Sequence, residues 1–350
     1  MKIKRWHVWL GLLISAVFLW LAFRKVDFSE VWRQLKTANL FYVSLGILSY
    51  FMALIVRTWR WQVLLSPMKK ISILRLFPVL SAGYMANNVY PARAGDLLRT
   101  VLLRKKEEVP ISASLATILV EHLFDGIAIL ALVLLNLGQL TRYAPSSQWV
   151  SVIENSAFWV GLVFGLILLL FIAMVIMPER MRGISGWLID HILPTKFRSS
   201  VKGIIERFTE GLNVLRSPLQ SLIVMLQSVM IWVIEGGLYW GVMKALGLDL
   251  SFQSLLMVVG IVNLVLLVPA APGGLGTFDA ATKSMMEVFG VNPENALGYT
   301  LLLRVALWLP VTLLGAFFFV KEGFSLSSDL ESLRQEYQEE DIKEKFTEEG

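Results

Sequence analysis

The sequence predicts an all-α polytopic membrane protein, six spanning helices plus two re-entrant or broken-helix hairpins, with the hairpins placed in inverted repeats. Three observations predict this. Hydrophobic residues make up 56% of the 350, against about 45–50% in a soluble chain, and the mean hydropathy is +0.64. Charge-free stretches match the bilayer: Ala157–Met177 contains no charged residue over about 30 Å of helix rise, the thickness of a hydrocarbon core. The polar residues that do enter apolar surroundings gather at two proline- and glycine-rich breaks, where helices are interrupted and backbone groups are freed.

The first predicted span, Trp6–Phe23, follows Lys2, Lys4 and Arg5; no small-x-small cleavage site follows it, so it reads as a retained helix. Further spans are predicted at Leu40–Leu65, Ile111–Leu137, Ala157–Met177, Leu219–Met243 and Ala296–Val320, each bounded by charged or loop-forming residues. Two apolar stretches, Ile71–Tyr90 and Phe252–Ala271, run into prolines and glycines before completing a span, and each is expected to enter and return on one side.

Basic residues orient the chain. Lys69, Lys70, Arg75, Arg99, Arg104, Lys105 and Lys106 mark cytoplasmic segments, whereas Gly138–Ser156 holds only Arg142 and Glu154 and reads as external. The expected location is the inner (plasma) membrane with both termini in the cytoplasm. Between Pro178 and Ser217, Phe197, Val201, Ile204, Ile205, Phe208 and Leu212 alternate with Arg198, Lys202 and Arg207, the pattern of an amphipathic helix at the interface. The expected organisation is a transmembrane domain over residues 1–325, with repeat units at about 40–138 and 219–322, followed by an acidic cytoplasmic tail over 326–350. From Asp329 onward that tail sets nine acidic residues against Arg334, Lys343 and Lys345.

Several chemistries are disfavoured. The absence of cysteine removes disulfides and thiolate metal sites, and His7, His122 and His191 lack metal-ligand spacing. The formal charge of +5 fits an anionic leaflet rather than nucleic acid, since no basic stripe is interleaved with aromatic residues. No cofactor and no metal are expected.

The informative residues begin at the first break. Asn87 and Asn88 are followed by Pro91, Arg93, Gly95, Asp96 and Arg99; the proline and glycine free backbone groups, and the arginines offer forked donors suited to phosphate oxygens. The bland alternative is a loop whose arginines obey the positive-inside rule. In the next span Glu121 and Asp125 lie one helical turn apart. Carboxylates at that depth need partners, for which Arg93 and Arg99 are the expected counter-charges, either as a structural ion pair or as a headgroup or proton site. The second break runs from Val268 to Asp279 through Pro269, Pro272, Gly273, Gly274 and Gly276; its amides can cradle an anion, or its small residues can serve close packing. It lacks the Lys-Ser or Lys-Thr of a nucleotide loop.

The breaks resemble each other. Aligning Asp96 with Asp279 brings Pro110 onto Pro293, Ala113 onto Ala296, Thr117 onto Thr300, Leu119 onto Leu302 and Glu121 onto Arg304, without a gap. One predicted unit enters from the cytoplasm and the other from outside, the arrangement of transporters that alternate access.

Taken in order, Asn88-x-x-Pro91-x-Arg93-x-Gly95-Asp96-x-x-Arg99, Glu121-x-x-x-Asp125, Pro272-Gly273-Gly274-x-Gly276 and Arg304 resemble the lysylphosphatidylglycerol synthase transmembrane region, a flippase-like family, over about residues 5–322. His122 stands where an arginine often follows the glutamate, and Asp279 where glutamate is usual. The resemblance implies translocation of lipid between leaflets. It implies a headgroup site drawn from Asn88, Arg93, Asp96, Arg99, Glu121, Asp125, Gly273, Gly274, Gly276, Asp279 and Arg304, without the soluble aminoacyltransferase domain of two-part members. The expected partners are a membrane phospholipid or lipid-phosphate and a membrane enzyme. The alternatives are an enzyme of lipid modification, transferring lysine or a lipid-linked sugar, and a non-catalytic scaffold.

Overall fold

A computed structural model describes residues 28–90, 93–143, 148–192, 198–266 and 272–323. The first predicted span, residues 267–271 with Pro269, Pro91, Ala92 and the acidic tail lie outside the described residues. What is described is all helical: α1 Phe28–Lys36, α2 Leu40–Leu65, α3 Ile73–Val89, α4 Ala94–Glu107, α5 Ile111–Leu135, α6 Leu137–Tyr143, α7 Gln148–Ile176, α8 Pro178–Ile192, α9 Arg198–Gly211, α10 Pro218–Ala245, α11 Phe252–Val265, α12 Thr277–Val288 and α13 Pro293–Lys321, with short 3-10 turns at Asn213–Arg216 and Pro272–Gly274.

Five stretches are long and apolar enough to cross a membrane: Leu40–Leu65, Ile111–Gln139, Phe158–Ile176, Pro218–Ala245 and Pro293–Lys321. They coincide with five of the six predicted spans. The helices start where the sequence supplies a cap. The Asn39 side chain accepts from the Phe41 amide ahead of α2. Ser217 with Pro218 opens α10, and Asn292 with Pro293 opens α13, each cap satisfying an amide that the first turn leaves free. The two weaker stretches form short helices. α3 has 17 residues and α11 has 14, so they rise about 25 and 21 Å and fall short of the hydrocarbon thickness. Each is followed by a break and a second short helix, α4 and α12 respectively.

Small residues let the helices approach. α2 and α10 run antiparallel: Tyr42 lies at Gly241, Ser49 Oγ donates to the Ile234 carbonyl at 2.6 Å, and Arg60 reaches Ser228. A Cβ on Gly241 would come within 2.6 Å of the Tyr42 carbonyl oxygen. In lipid, where helix association lacks a hydrophobic driving force, such close backbone contact carries the packing. α3 and α13 are likewise antiparallel, with Phe77 on Phe318 and Ser81 at Gly315. α11 packs on α5, where Gly260 meets Val133 and the Ile129 carbonyl.

The connections gather on two opposite faces. On one, Lys69 and Arg75 both engage Glu107, and Lys106 pairs with Glu322. Burial alone would raise the Glu107 carboxyl, but hydrogen bonds and charge from Lys69 and Arg75 outweigh it and hold it below the usual carboxylate range. On the other face, the Asn39 amide donates to Ala245, Gln139 receives Ser251 and Ser254, and Tyr143 packs edge-on to Phe289. Both ends of the α3–α4 hairpin therefore sit on the basic face, and both ends of α11–α12 on the opposite one. Their breaks meet between.

Candidate functional site at the meeting of the two hairpin breaks

The first break turns on Arg93, which adopts φ 52, a left-handed conformation that non-glycine residues seldom take. The turn is locked from within. The Asn87 side-chain oxygen accepts from the Gly95 amide at 2.8 Å and its nitrogen donates to Asp96 at 3.2 Å. A Cβ on Gly95 would run into the Gly83 carbonyl oxygen, so only glycine lets α4 fold back along α3 here. The second break turns on Gly273 and Gly274, at φ 62 and 63. Asp279 Oδ2 then accepts from the Gly276 amide at 2.9 Å and caps α12.

The tips touch through Asn88. Its side-chain nitrogen donates to Thr312 Oγ1 at 2.9 Å, while its carbonyl accepts from Trp308 Nε1 at 3.3 Å. Trp308 Nε1 also lies 3.0 Å from where a Cβ on Gly273 would stand, so α13 wedges between the breaks and touches both.

Four arginine–carboxylate pairs hold this centre. Arg304 is engaged on every side: Nε and Nη2 donate to the two Asp279 oxygens at 2.6 and 2.7 Å, and Nη1 and Nη2 donate to the Gly273 and Gly274 carbonyls at 3.1 and 3.2 Å. Arg99, over the Trp61 ring, donates to Glu121 Oε2 at 2.5 Å and lies 3.7 Å from Asp96. Arg60 forks onto Asp125 at 2.5 and 2.9 Å and also reaches Ser228. Arg57 donates to Glu235 at 2.5 Å between the Tyr84 and Trp232 rings. Charges this deep persist only when paired, because desolvating an ion costs several kcal/mol.

The predicted residues therefore fall into one region with a different division of roles. Asp96, Arg99, Glu121 and Asp125 come together as expected around α4 and α5. Of the two counter-charges expected for the carboxylates, Arg99 holds Glu121 while Arg93 is exposed. Arg304, aligned with Glu121 in the repeat, pairs within its own half, with Asp279. Asn88, Gly273, Gly274 and Gly276 sit at the tips, as their place in the sequence implied.

Sequence reasoning passed over Arg57, Arg60 and Glu235, although each is an ionisable residue inside a predicted span, a signal sufficient to mark it. Their partners were not legible, since Arg57–Glu235 and Arg60–Asp125 join residues 178 and 65 positions apart. Several buried polar atoms find no partner within the protein: Arg57 Nε and Nη1, Arg60 Nε, Glu121 Oε1 and both side-chain atoms of Gln227. A buried donor or acceptor left so costs about 1–3 kcal/mol. Among the described residues no group of three or more potential metal ligands is present.

Comparison with known proteins agrees with the motifs. The chain is 22% identical over 314 residues to a UPF0104 membrane protein of Methanothermobacter thermautotrophicus, covering 86% of this chain and 91% of that one. It is 25% identical over 233 residues to a UPF0104 membrane protein of Methanocaldococcus jannaschii, covering 67% and 92%. Similarity to the glycosyltransferase AglD of Haloferax volcanii is 26% over 317 residues, 83% of this chain but 50% of the relative. The model of the lysylphosphatidylglycerol synthase transmembrane region matches residues 8–315. With its spans, breaks and buried ion pairs in place, this chain is a polytopic membrane protein that belongs to that family.

Proposed function

We propose that the protein moves a lipid bearing an anionic headgroup between leaflets, using the two hairpin breaks as its headgroup passage. The observation that carries this reading is the junction of the breaks at Asn88, Gly273 and Trp308, where two helices too short to span end at one level. Broken helices meeting inside a membrane protein supply free backbone groups to a polar cargo. The antiparallel pairing of α2 with α10, and the matched α3–α13 and α11–α5 contacts, support two inverted units. The basic face, carrying Lys69, Arg75, Arg104 and Lys106, then faces the cytoplasm.

Within this reading the residues divide. Arg304 has its guanidinium group committed to Asp279 and the Gly273 and Gly274 carbonyls, so it locks the second tip, while Arg99 is buried against Glu121. Arg93 is the exposed arginine of the first break, beside exposed Tyr90, and it takes the headgroup phosphate as a charge-assisted donor.

The test is exchange of fluorescent phosphatidylglycerol in vesicles of phosphatidylcholine and phosphatidylglycerol containing the purified protein, read by chemical quenching of the outer leaflet. Arg93→Gln, which removes an exposed charge, is expected to fold normally. It should slow exchange about tenfold or more, the value of one charge-assisted bond of about 1.5–3 kcal/mol. Exchange at the parent rate by both Arg93→Gln and Glu121→Gln would overturn the mechanism.

A second reading draws on the similarity to the glycosyltransferase AglD: the chain acts beside an enzyme that attaches sugar to a lipid carrier, or takes part in that transfer. It predicts an altered lipid composition in extracts of cells lacking the protein, whereas translocation alone predicts unchanged lipids in an altered leaflet distribution.

A further inference from the structure

α1, Phe28–Lys36, takes no part in the centre, and its outward stripe does not suit water. The helix divides into three sides at about 100° per residue. Val31 is buried, Leu35 is half-buried, and Gln34 sets its Oε1 against Gly298 of α13, where a Cβ would stand. Val31 Cγ1 lies 4.0 Å from the same point, so this side faces protein. A second stripe carries Trp32, 62% exposed, with Phe28, 57% exposed, one turn before it and Lys36 one turn after it; residues four apart share a helix face. The Lys36 ammonium lies 5.4 Å from the Trp32 ring centre. The third side holds Arg33 paired with Glu30. Protein, apolar and polar sides on one short helix are the pattern of an element lying in a membrane surface beside its own protein.

The neighbours of α1 fix its level independently. Three residues after Lys36 the Asn39 amide donates to the Ala245 carbonyl, where α2 begins and α10 ends. At that level Tyr42 meets Trp240 edge-on, with ring centroids 6.0 Å apart, and exposed Phe41 packs edge-on to Tyr42. Tyrosine and tryptophan gather where acyl chains give way to headgroups. Gly298 lies five residues past Pro293, the start of α13, which is about 7.5 Å along the helix; a helix lying in the interface sinks its apolar face by about 5–10 Å. The predicted span Trp6–Phe23, outside the described residues, is separated from Phe28 by four residues, which places α1 in the connection between two crossings. Of the other charged groups at this end, Lys244 is paired with Asp249, and Glu294 sits in the first turn of α13.

We propose that α1 is an interfacial arm that lies flat in the phospholipid leaflet on the face opposite Lys69 and Arg75, with Phe28 and Trp32 sunk among the upper acyl chains and Lys36 reaching lipid phosphates. The partner is the leaflet itself. A lysine beside a sunken aromatic ring keeps its stem in apolar surroundings and extends its ammonium to the headgroups. The arm rests against α13, which carries Arg304 and Trp308, so it joins the leaflet to the helix wedged between the two breaks. Its placement holds whichever cargo crosses and in whichever direction.

The chain lacks cysteine, so Trp32→Cys takes a single environment-sensitive fluorophore, and the labelled protein is placed in vesicles of phosphatidylcholine and phosphatidylglycerol. Its emission should be blue-shifted. Lipids with a nitroxide near the glycerol should quench it several times more strongly than lipids with the nitroxide at the chain end, or than iodide supplied on both sides of the bilayer. Phe28→Cys, one turn away, should give the same order and guards against an effect of losing the Trp32 ring. Asp249→Cys, at a side chain 91% exposed, supplies the reference for a label in water, quenched mainly by iodide. Quenching at positions 28 and 32 led by iodide would put the stripe in water, and quenching led by the chain-end nitroxide would put it in the hydrocarbon core. A label that no quencher reaches would mean that protein covers the stripe, either a second copy or the segment before α1. Each of these three outcomes overturns the proposal, and none of them depends on lipid exchange.

Discussion

At the scale of single residues, pairing rather than placement sets the energetics of the centre. Glu121 has 4% exposure and takes its charge balance from Arg99 at 2.5 Å; removing one partner of a buried pair leaves an uncompensated ion, at a cost of about 3–5 kcal/mol. Glu121→Ala should therefore destabilise the protein in detergent by several kcal/mol, and Glu121→Ala with Arg99→Ala should recover part of that loss. The same cycle with Arg93→Ala should be additive, since Arg93 lies in solvent-accessible surroundings away from the carboxylate. Thermal unfolding of the six proteins, parent included, measures both coupling terms, and a larger coupling to Arg93 than to Arg99 would reject the pairing described here.

At the scale of elements, the hairpins depend on glycine where a side chain has no room. Gly95 lies against Gly83 and Asn87 so closely that any Cβ must displace backbone, and the displaced strand of chain is the one that carries Asp96 and Arg99. Gly95→Ala should cost at least the 1–3 kcal/mol of an overpacked core and lower the yield of folded protein, while Gly138→Ala, where a Cβ meets nothing within 4 Å, should leave both unchanged. Size-exclusion profiles of the two variants with heating compare them directly. Equal stability would mean that α4 does not fold back on α3 as described.

At the scale of the whole molecule, Lys69, Arg75 and Lys106 collect on one face and the two hairpins open toward opposite faces. Placing the basic face in the cytoplasm puts the end of α6 at Tyr143 outside and the end of α13 at Lys321 inside. The chain lacks cysteine, so single cysteines report without background: an impermeant thiol reagent applied to intact cells should label Ser146→Cys and spare Ser328→Cys. The opposite pattern would reverse the topology and exchange the leaflets served by the two breaks.

Hydrophobic length and punctuation were enough to read the spans at Leu40–Leu65 and Ala296–Val320 and the short helices at the two breaks from the sequence. Burial in lipid is decided by local composition, and helix ends by nearby residues such as Asn39, Asn292 and the Gly273–Gly276 run. The same local logic marked Asp96, Arg99, Glu121 and Asp125 as groups too costly to leave unpaired. What only the tertiary structure decided was who pairs with whom: Arg60 with Asp125, Arg57 with Glu235, and Arg304 with Asp279. Ion pairs act over a few ångströms of space, and the distances along the chain that separate these partners are set by how helices cross, which no local pattern of residues encodes.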